Sequence, residues 1–374
     1  MSKLMSPVAL RGVTLRNRTV VAPMCQYSAV DGFANDWHMV HLGRFGIGGF
    51  GLVILEATGV VPEGRISYGD LGLWKDEHIA PLARIVDFLH DQGAAAGIQL
   101  AHAGRKASTP VAWRSPADLA TEEQRRAAGY EHWLPVAPSA ESHDPANANY
   151  QVPAELDAGG IARVIDGFTA AARRADRAGF DTIEIHAAHG YLLNQFLSPL
   201  ANHRTDDYGG SRDNRMRLAL EVAEAVRAVW PEHKPLLFRL SVSDNAEGGW
   251  SVEDSVALAS ELKARGVDAI DCSSGGFAQG RIQPAPSYQV HFARAVKAGA
   301  NIPTMAVGVL GDVAAAEAIL ENGEADFIAL ARGALTDPNW PLHANTALGG
   351  DHSIWPVQTR RVADYDRVIA AARV

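Results

Sequence analysis

Three side chains able to donate a hydrogen bond or a proton stand within six residues: His186, His189 and Tyr191, in the stretch TIEIHAAHGYLLNQ. Two imidazoles at this spacing can polarise the oxygen of an organic ligand, and a phenol beside them can deliver a proton. The same His-x-x-His spacing also serves metal ligands, as in a metal-dependent barrel hydrolase. The local residues leave both uses open, although Gly190 and Tyr191 rather than carboxylates follow. Cys25, in VAPMCQYS, is by default a small buried hydrophobe, but it directly follows an apolar run, with Tyr27 two residues on. Gly308, in AVGVLG, and Arg332 with Gly333, in ALARGALTDP, offer backbone amides and a cation of the kind that hold phosphate. Ala57, Gln99, Arg239, Ser273, Ser274 and Gly275 close other apolar runs.

What places these groups together is a repeated unit. Apolar runs recur at 20–23, 52–57, 96–101, 182–186, 236–240, 269–273, 304–307 and 326–330, each short enough for a buried parallel strand. Amphipathic segments lie between them: Glu77 to Gln92, Asp157 to Ala178, Arg212 to Val229, Ser251 to Arg265, Tyr288 to Ala298 and Asp312 to Asn322. Ser251 followed by Asp254 resembles an acidic capping box, and Gly93, Gly179, Gly266, Gly299 and Gly323 fall where helices would stop. Eight strand–helix units without a linker predict a single-domain (β/α)8 barrel over residues 1–374, with chemistry at the carboxyl ends of its strands. Val8 to Val21 reads as a hairpin able to plug the barrel bottom. Residues 103–155 interrupt the rhythm after the third strand. SPADLATEEQRRAAG within them offers a capped helix, and we expect the insertion to form a lid or wall.

Composition narrows the classes. A net charge of -9 with no basic stripe argues against a nucleic-acid partner. Two cysteines are too few for a disulfide framework or a cysteine-ligated cluster, and no apolar run approaches a membrane span, so a cytoplasmic protein is expected. GIGGFG at 46–51 fits G-x-G-x-x-G, but its glycines end a helical pattern and lead into a strand, the reverse of a dinucleotide fingerprint. His38 and His41 lack an acidic partner at matching offset and read as packed helical residues.

Across nearly the whole chain these blocks resemble the Old Yellow Enzyme family of flavin-dependent ene-reductases. HAAHGYLLNQFLSPLANHRTDDYGGSRDNRMRLALE is similar to the family's signature block, and VAPMCQYS, IQLAHAGRK, WLPVAPSA, FRLSVSD, CSSGG and ALARGALTDP follow its other blocks in order. Cys25 and Tyr27 point to the thermophilic-like, or xenobiotic-reductase-like, subgroup. The resemblance implies non-covalent FMN, with Pro23, Met24, Cys25, Ala57, Gln99 and Arg239 lining its ring system. Ser274 and Gly275 would lie beside it, and Gly308, Arg332 and Gly333 would hold its phosphate. NADPH or NADH would deliver hydride to flavin N5 and leave, and an activated alkene would then take the same place. His186 and His189 would hold its carbonyl or nitro oxygen, Tyr191 would protonate the α-carbon, Cys25 would tune the flavin, and Tyr27 would bind the substrate's oxygen side.

In this subgroup a carboxy-terminal arginine often enters a neighbouring subunit's site. Here the segment at about 350–374 reads WPVQTRRVADYDR, so Arg361 is the nearest match and Trp355 would line the pocket, while Thr359 stands where an aromatic is frequent. A homodimer or homotetramer is the corresponding expectation.

Overall fold

The computed structural model describes residues 2–113, 121, 123–124, 132–277, 279–280, 282–363 and 365. The helix expected within 115–129 falls almost wholly outside them. The chain opens with β1 (Val8–Leu10) and β2 (Val13–Leu15), an antiparallel hairpin. Eight parallel strands then close into a barrel in the order β3 (Thr19–Val21), β4 (Leu52–Gly59), β5 (Ala95–Ala101), β8 (Thr182–Ala187), β9 (Leu236–Ser241), β10 (Ala269–Ser273), β11 (Thr304–Ala306) and β12 (Phe327–Leu330). The insertion contributes a separate two-stranded sheet, β6 (Val136–Ala137) with β7 (Ala154–Glu155). Helices α1 (Asp36–Ile47), α2 (Ile79–Asp91), α3 (Ala158–Arg177), α4 (Leu192–Leu197), α5 (Arg212–Arg227), α6 (Val252–Ala264), α7 (Val290–Ala300), α8 (Val313–Glu321), α9 (Arg332–Thr336) and α10 (Trp340–Ala347) occupy the connections. Among the described residues no helix is long and apolar enough to cross a membrane.

Alternation along each strand divides the core in two. Val21, Val53, Leu55, Ile98, Ile183, Ile185, Phe238, Ile270 and Ile328 face the helices. Val20, Ala22, Leu52, Ile54, Leu237, Ala269, Met305, Phe327 and Ala329 fill the barrel, and Leu10 and Leu15 of the hairpin join them from below. Ser251 caps α6 in the expected box, its hydroxyl accepting from the Asp254 amide at 3.1 Å. Gly93, Gly179, Gly266 and Gly323 all adopt positive φ after helices. Gly299 does not. It lies inside α7, which runs on to Ala300 and ends at Asn301 in the left-handed conformation (φ 48°). Gly299 is small for another reason: a Cβ there would sit 2.5 Å from Val256 on the neighbouring helix.

Candidate active site at the barrel mouth

Toward their carboxyl ends the inward positions of β5, β8, β9 and β10 turn polar: Gln99, Glu184, Arg239 and Asp271 all point into the barrel, because their neighbours along each strand belong to the outer layer. Farther toward the carboxyl ends come His186, Ser241 and Ser273, with Ser241 and Ser273 in register across β9 and β10. This lining carries the site. His186 Nδ1 accepts from the Ala188 amide at 3.3 Å, so the neutral ring holds its proton on Nε2. His189 donates its amide to Ser241 Oγ at 2.9 Å and sets Nε2 2.8 Å from Ser273 Oγ, leaving Nδ1 for a ligand. The His186 ring centroid is 5.2 Å from that of His189 and 4.9 Å from that of Tyr191.

The turn between β8 and α4 is tightly specified. His189 has φ 59°, unusual for a side-chain-bearing residue, and Gly190 follows at 72°. Asn194 Oδ1 accepts from the Gly190 amide at 2.7 Å, and Gln195 Nε2 donates to the Gly190 carbonyl at 2.7 Å. Across the mouth Gly276 meets this turn back to back: a Cβ on Gly190 would lie 2.3 Å from the Gly276 carbonyl oxygen. Lys106, in the turn after β5, donates to the His189 carbonyl at 2.9 Å and lies 4.8 Å from the centre of the Tyr191 ring.

Electrostatics assign protonation states. Burial, reinforced by the Arg239 charge, holds both His186 and His189 well below the usual imidazole range, so they are neutral donors. Burial pushes the Tyr191 phenol well above its ordinary value, which keeps it protonated. Lys106 is lowered to about 8, first by burial and then by Arg105.

The opposite wall is apolar. Ala57, Ile66, Ala101, Ala103 and Ala107 form a small cluster against which Cys25, Tyr27, Trp133 and Tyr191 pack. Burial together with Asp70 and Glu56 raises the Cys25 thiol well above its normal range, so it stays protonated and is no nucleophile. Glu56 fastens this loop by accepting from the Gln26 amide at 2.7 Å. His38 Nε2 lies 3.2 Å from the same carboxylate, which makes His38 a structural partner of the loop.

Gly308 (φ 117°) follows β11, and Arg332 with Gly333 opens α9 directly after β12. Ser274 Oγ donates to Gln289 Oε1 at 2.6 Å, and Gln289 Nε2 reaches the Val307 carbonyl at 3.4 Å, tying the loops after β10 and β11. Pro23 and Met24 follow β3, with Met24 packed on the outer core. Two expected residues are not brought to this group among the described contacts: Trp355 packs on His343 and His352, and Arg361 is exposed. The sequence reading passed over Glu184, Asp271, Lys106 and Gly276. For the first two a signal existed, since TIEIH and AIDCS put a carboxylate at an inward position of an otherwise apolar strand.

The NADH:flavin oxidoreductase / NADH oxidase family profile matches residues 3–349. The chain belongs to this family. An NADPH dehydrogenase of Geobacillus thermodenitrificans is 45% identical over 348 residues, covering 92% of this chain and 94% of that one. The solved structure of morphinone reductase is 29% identical with a TM-score of 0.76, covering 93% of this chain and 90% of its own. A 2-naphthoyl-CoA reductase complex, 24% identical with a TM-score of 0.81, shares the fold over 94% of this chain but only 53% of its own. The protein is accordingly an FMN-dependent NAD(P)H oxidoreductase of the Old Yellow Enzyme type. Nothing in the family match favours a metal hydrolase, and among the described residues no three His, Cys, Asp or Glu side chains gather around a common point.

The residues at the mouth fit FMN. Buried Arg239 Nε has no hydrogen-bond partner, although it lies 3.1 Å from Asp271 Oδ2. Gln99 Nε2 donates to Glu184 Oε1 at 2.7 Å, so the amide group is anchored beside Arg239 and its Oε1 is the atom that would accept from the flavin.

Proposed function

We propose that this enzyme reduces the C=C bond of alkenes conjugated to a carbonyl or nitro group, taking hydride from NADPH or NADH in a ping-pong cycle. Bound FMN supplies the hydride chemistry that links the two substrates. The observation that carries the reading is the convergence of two neutral imidazoles and one protonated phenol on a single opening. His186 through Nε2 and His189 through Nδ1 hold the substrate oxygen and stabilise the charge that grows on it as the β-carbon accepts hydride. Tyr191, fixed at the N-terminus of α4, gives its proton to the α-carbon. Gln99 and Arg239 hold the polar edge of the flavin, with Pro23, Met24, Cys25 and Ala57 along the ring. Ser274 and Gly275 stand beside it, and Gly308, Arg332 and Gly333 bind the phosphate. Tyr27, at the apolar wall with Cys25, orients the substrate.

The same reading includes a homodimer or homotetramer in which Arg361, exposed on its own subunit, reaches a neighbour's substrate. Tyr191→Phe tests the central assignment by anaerobic stopped-flow. Reoxidation by an enone should slow about 100-fold, the scale of one general acid, while reduction by NADPH stays within about twofold. Equal loss in both half-reactions removes Tyr191 from the role of acid.

A further inference from the structure

Beneath the mouth lie two carboxyl groups that the reading above leaves unused. Glu184 on β8 and Asp271 on β10 are each 0% exposed and stand on either side of Arg239 on β9. Asp271 Oδ2 lies 3.1 Å from Arg239 Nε, and Glu184 Oε1 accepts from Gln99. Glu184 Oε2 and both Asp271 oxygens have no hydrogen-bond donor. The polar groups facing the pair along the lining are Gln99, Arg239 and, toward the mouth, His186. From β3, β4, β11 and β12 the lining presents Ala22, Ile54, Met305 and Ala329, none of which titrates.

Two carboxylates beside one guanidinium leave one negative charge uncompensated in a dry interior, a state that burial penalises strongly. Two like charges held close resolve this by retaining a proton between them. We propose that Glu184 and Asp271 share one proton, and that this proton keeps the barrel floor neutral so that Arg239 can accept the negative charge of the reduced cofactor. The proposal rests on the FMN reading. Burial raises both acids against the opposing pull of the Arg239 charge, and the Asp271 charge raises Glu184 further while Glu184 lowers Asp271. Glu184 is thus a positioning residue on two counts: it fixes the Gln99 amide, and it sets the charge below the site. When the pair releases its proton to solvent at high pH, the floor becomes negative and reduction of the cofactor is disfavoured.

Infrared pH titration of the apoprotein tests the shared proton without any cofactor. Buried Asp70, raised to about 8, gives a carboxylic-acid C=O band of its own at pH 7, so the shared proton is read from the wild-type-minus-Glu184→Gln difference, which should hold a further such band that disappears in alkali. With FMN loaded, spectroelectrochemistry of wild type should show the midpoint potential falling more steeply across the interval in which that band disappears. In Glu184→Gln the extra steepness should vanish. Absence of that difference band, or an unchanged steepening in Glu184→Gln, overturns the proposal. Should Glu184→Gln not fold, Asp271→Asn, which leaves Glu184 beside Arg239 alone, must remove the same band. A protein that binds no FMN sinks the functional reading alone, because the apoprotein band is judged separately.

Discussion

Replacing Gly276 with alanine should disarm the site from a residue that contributes no functional group. An added Cβ would stand 2.1 Å from the His189 carbonyl carbon and 2.2 Å from the Gly190 amide nitrogen. Packed Cβ atoms do not approach closer than 3.0 Å, so the turn bearing His189 must retreat by at least 3.0 − 2.1 = 0.9 Å. That turn is held by Ser241, Ser273, Asn194 and Lys106, and its retreat breaks or stretches the bonds that aim the imidazole. A misplacement of about 1 Å costs on the order of 100-fold in rate. Enone-driven reoxidation should therefore fall about 100-fold, and affinity for a phenolic ligand, followed by flavin absorbance, should fall at least about tenfold by the same geometric loss. Backbone strain at φ 126° destabilises as well, which Gly323→Ala controls for: it has φ 71° and nothing within 4 Å of the new Cβ. A Gly276→Ala protein as stable as the control, loaded with FMN and reoxidised within about threefold of the wild-type rate, would refute the coupling of the two turns.

Lys106 titrates at about 8 against an ordinary 10.5. The fold disfavours its charged form, so this group contributes stability that rises with pH between these values, where the unfolded chain binds the extra proton. Cys25 and Tyr191, both raised, contribute the opposite slope above pH 9, so urea melts should show the Lys106 rise in the difference between wild type and Lys106→Met. The enone half-reaction should also change near pH 8 in wild type and not in the variant, since the charge lies 4.8 Å from the Tyr191 ring. Removing the α6 cap with Ser251→Ala should cost about 1 kcal/mol in the same melts and leave both half-reactions untouched.

What could be read from the chain depended on whether the information was local. His186, His189 and Tyr191 are contiguous, and the strand beneath them ends where its apolar pattern ends, so their convergence was visible before any fold was known. The eight-unit barrel was visible for a similar reason, because each strand announces itself within its own few residues. Glu184 and Asp271 were hidden by habit: buried parallel strands are read as apolar runs, and a carboxylate within one looks like an interruption instead of a lining. Lys106 and Gly276 stand inside the blocks IQLAHAGRK and CSSGG, but nothing local to those blocks shows where they act. Each acts on the β8–α4 turn from a different strand end, and only closure of the ring brings them there. Gly299, expected as a helix stop, lies inside α7: close packing on Val256 requires the glycine, and Asn301 makes the turn.

The N-terminal hairpin has its own consequence. With Leu10 and Leu15 lodged under Leu52 and Leu237, the ring is stoppered at one end. The mouth is the open end, so the loops on that side, with the Arg361 that a neighbour lends in the reading above, decide which guests are admitted. The stoppered end is then free to change for the sake of durability, and substitutions in the hairpin should alter how long the enzyme lasts without altering what it transforms.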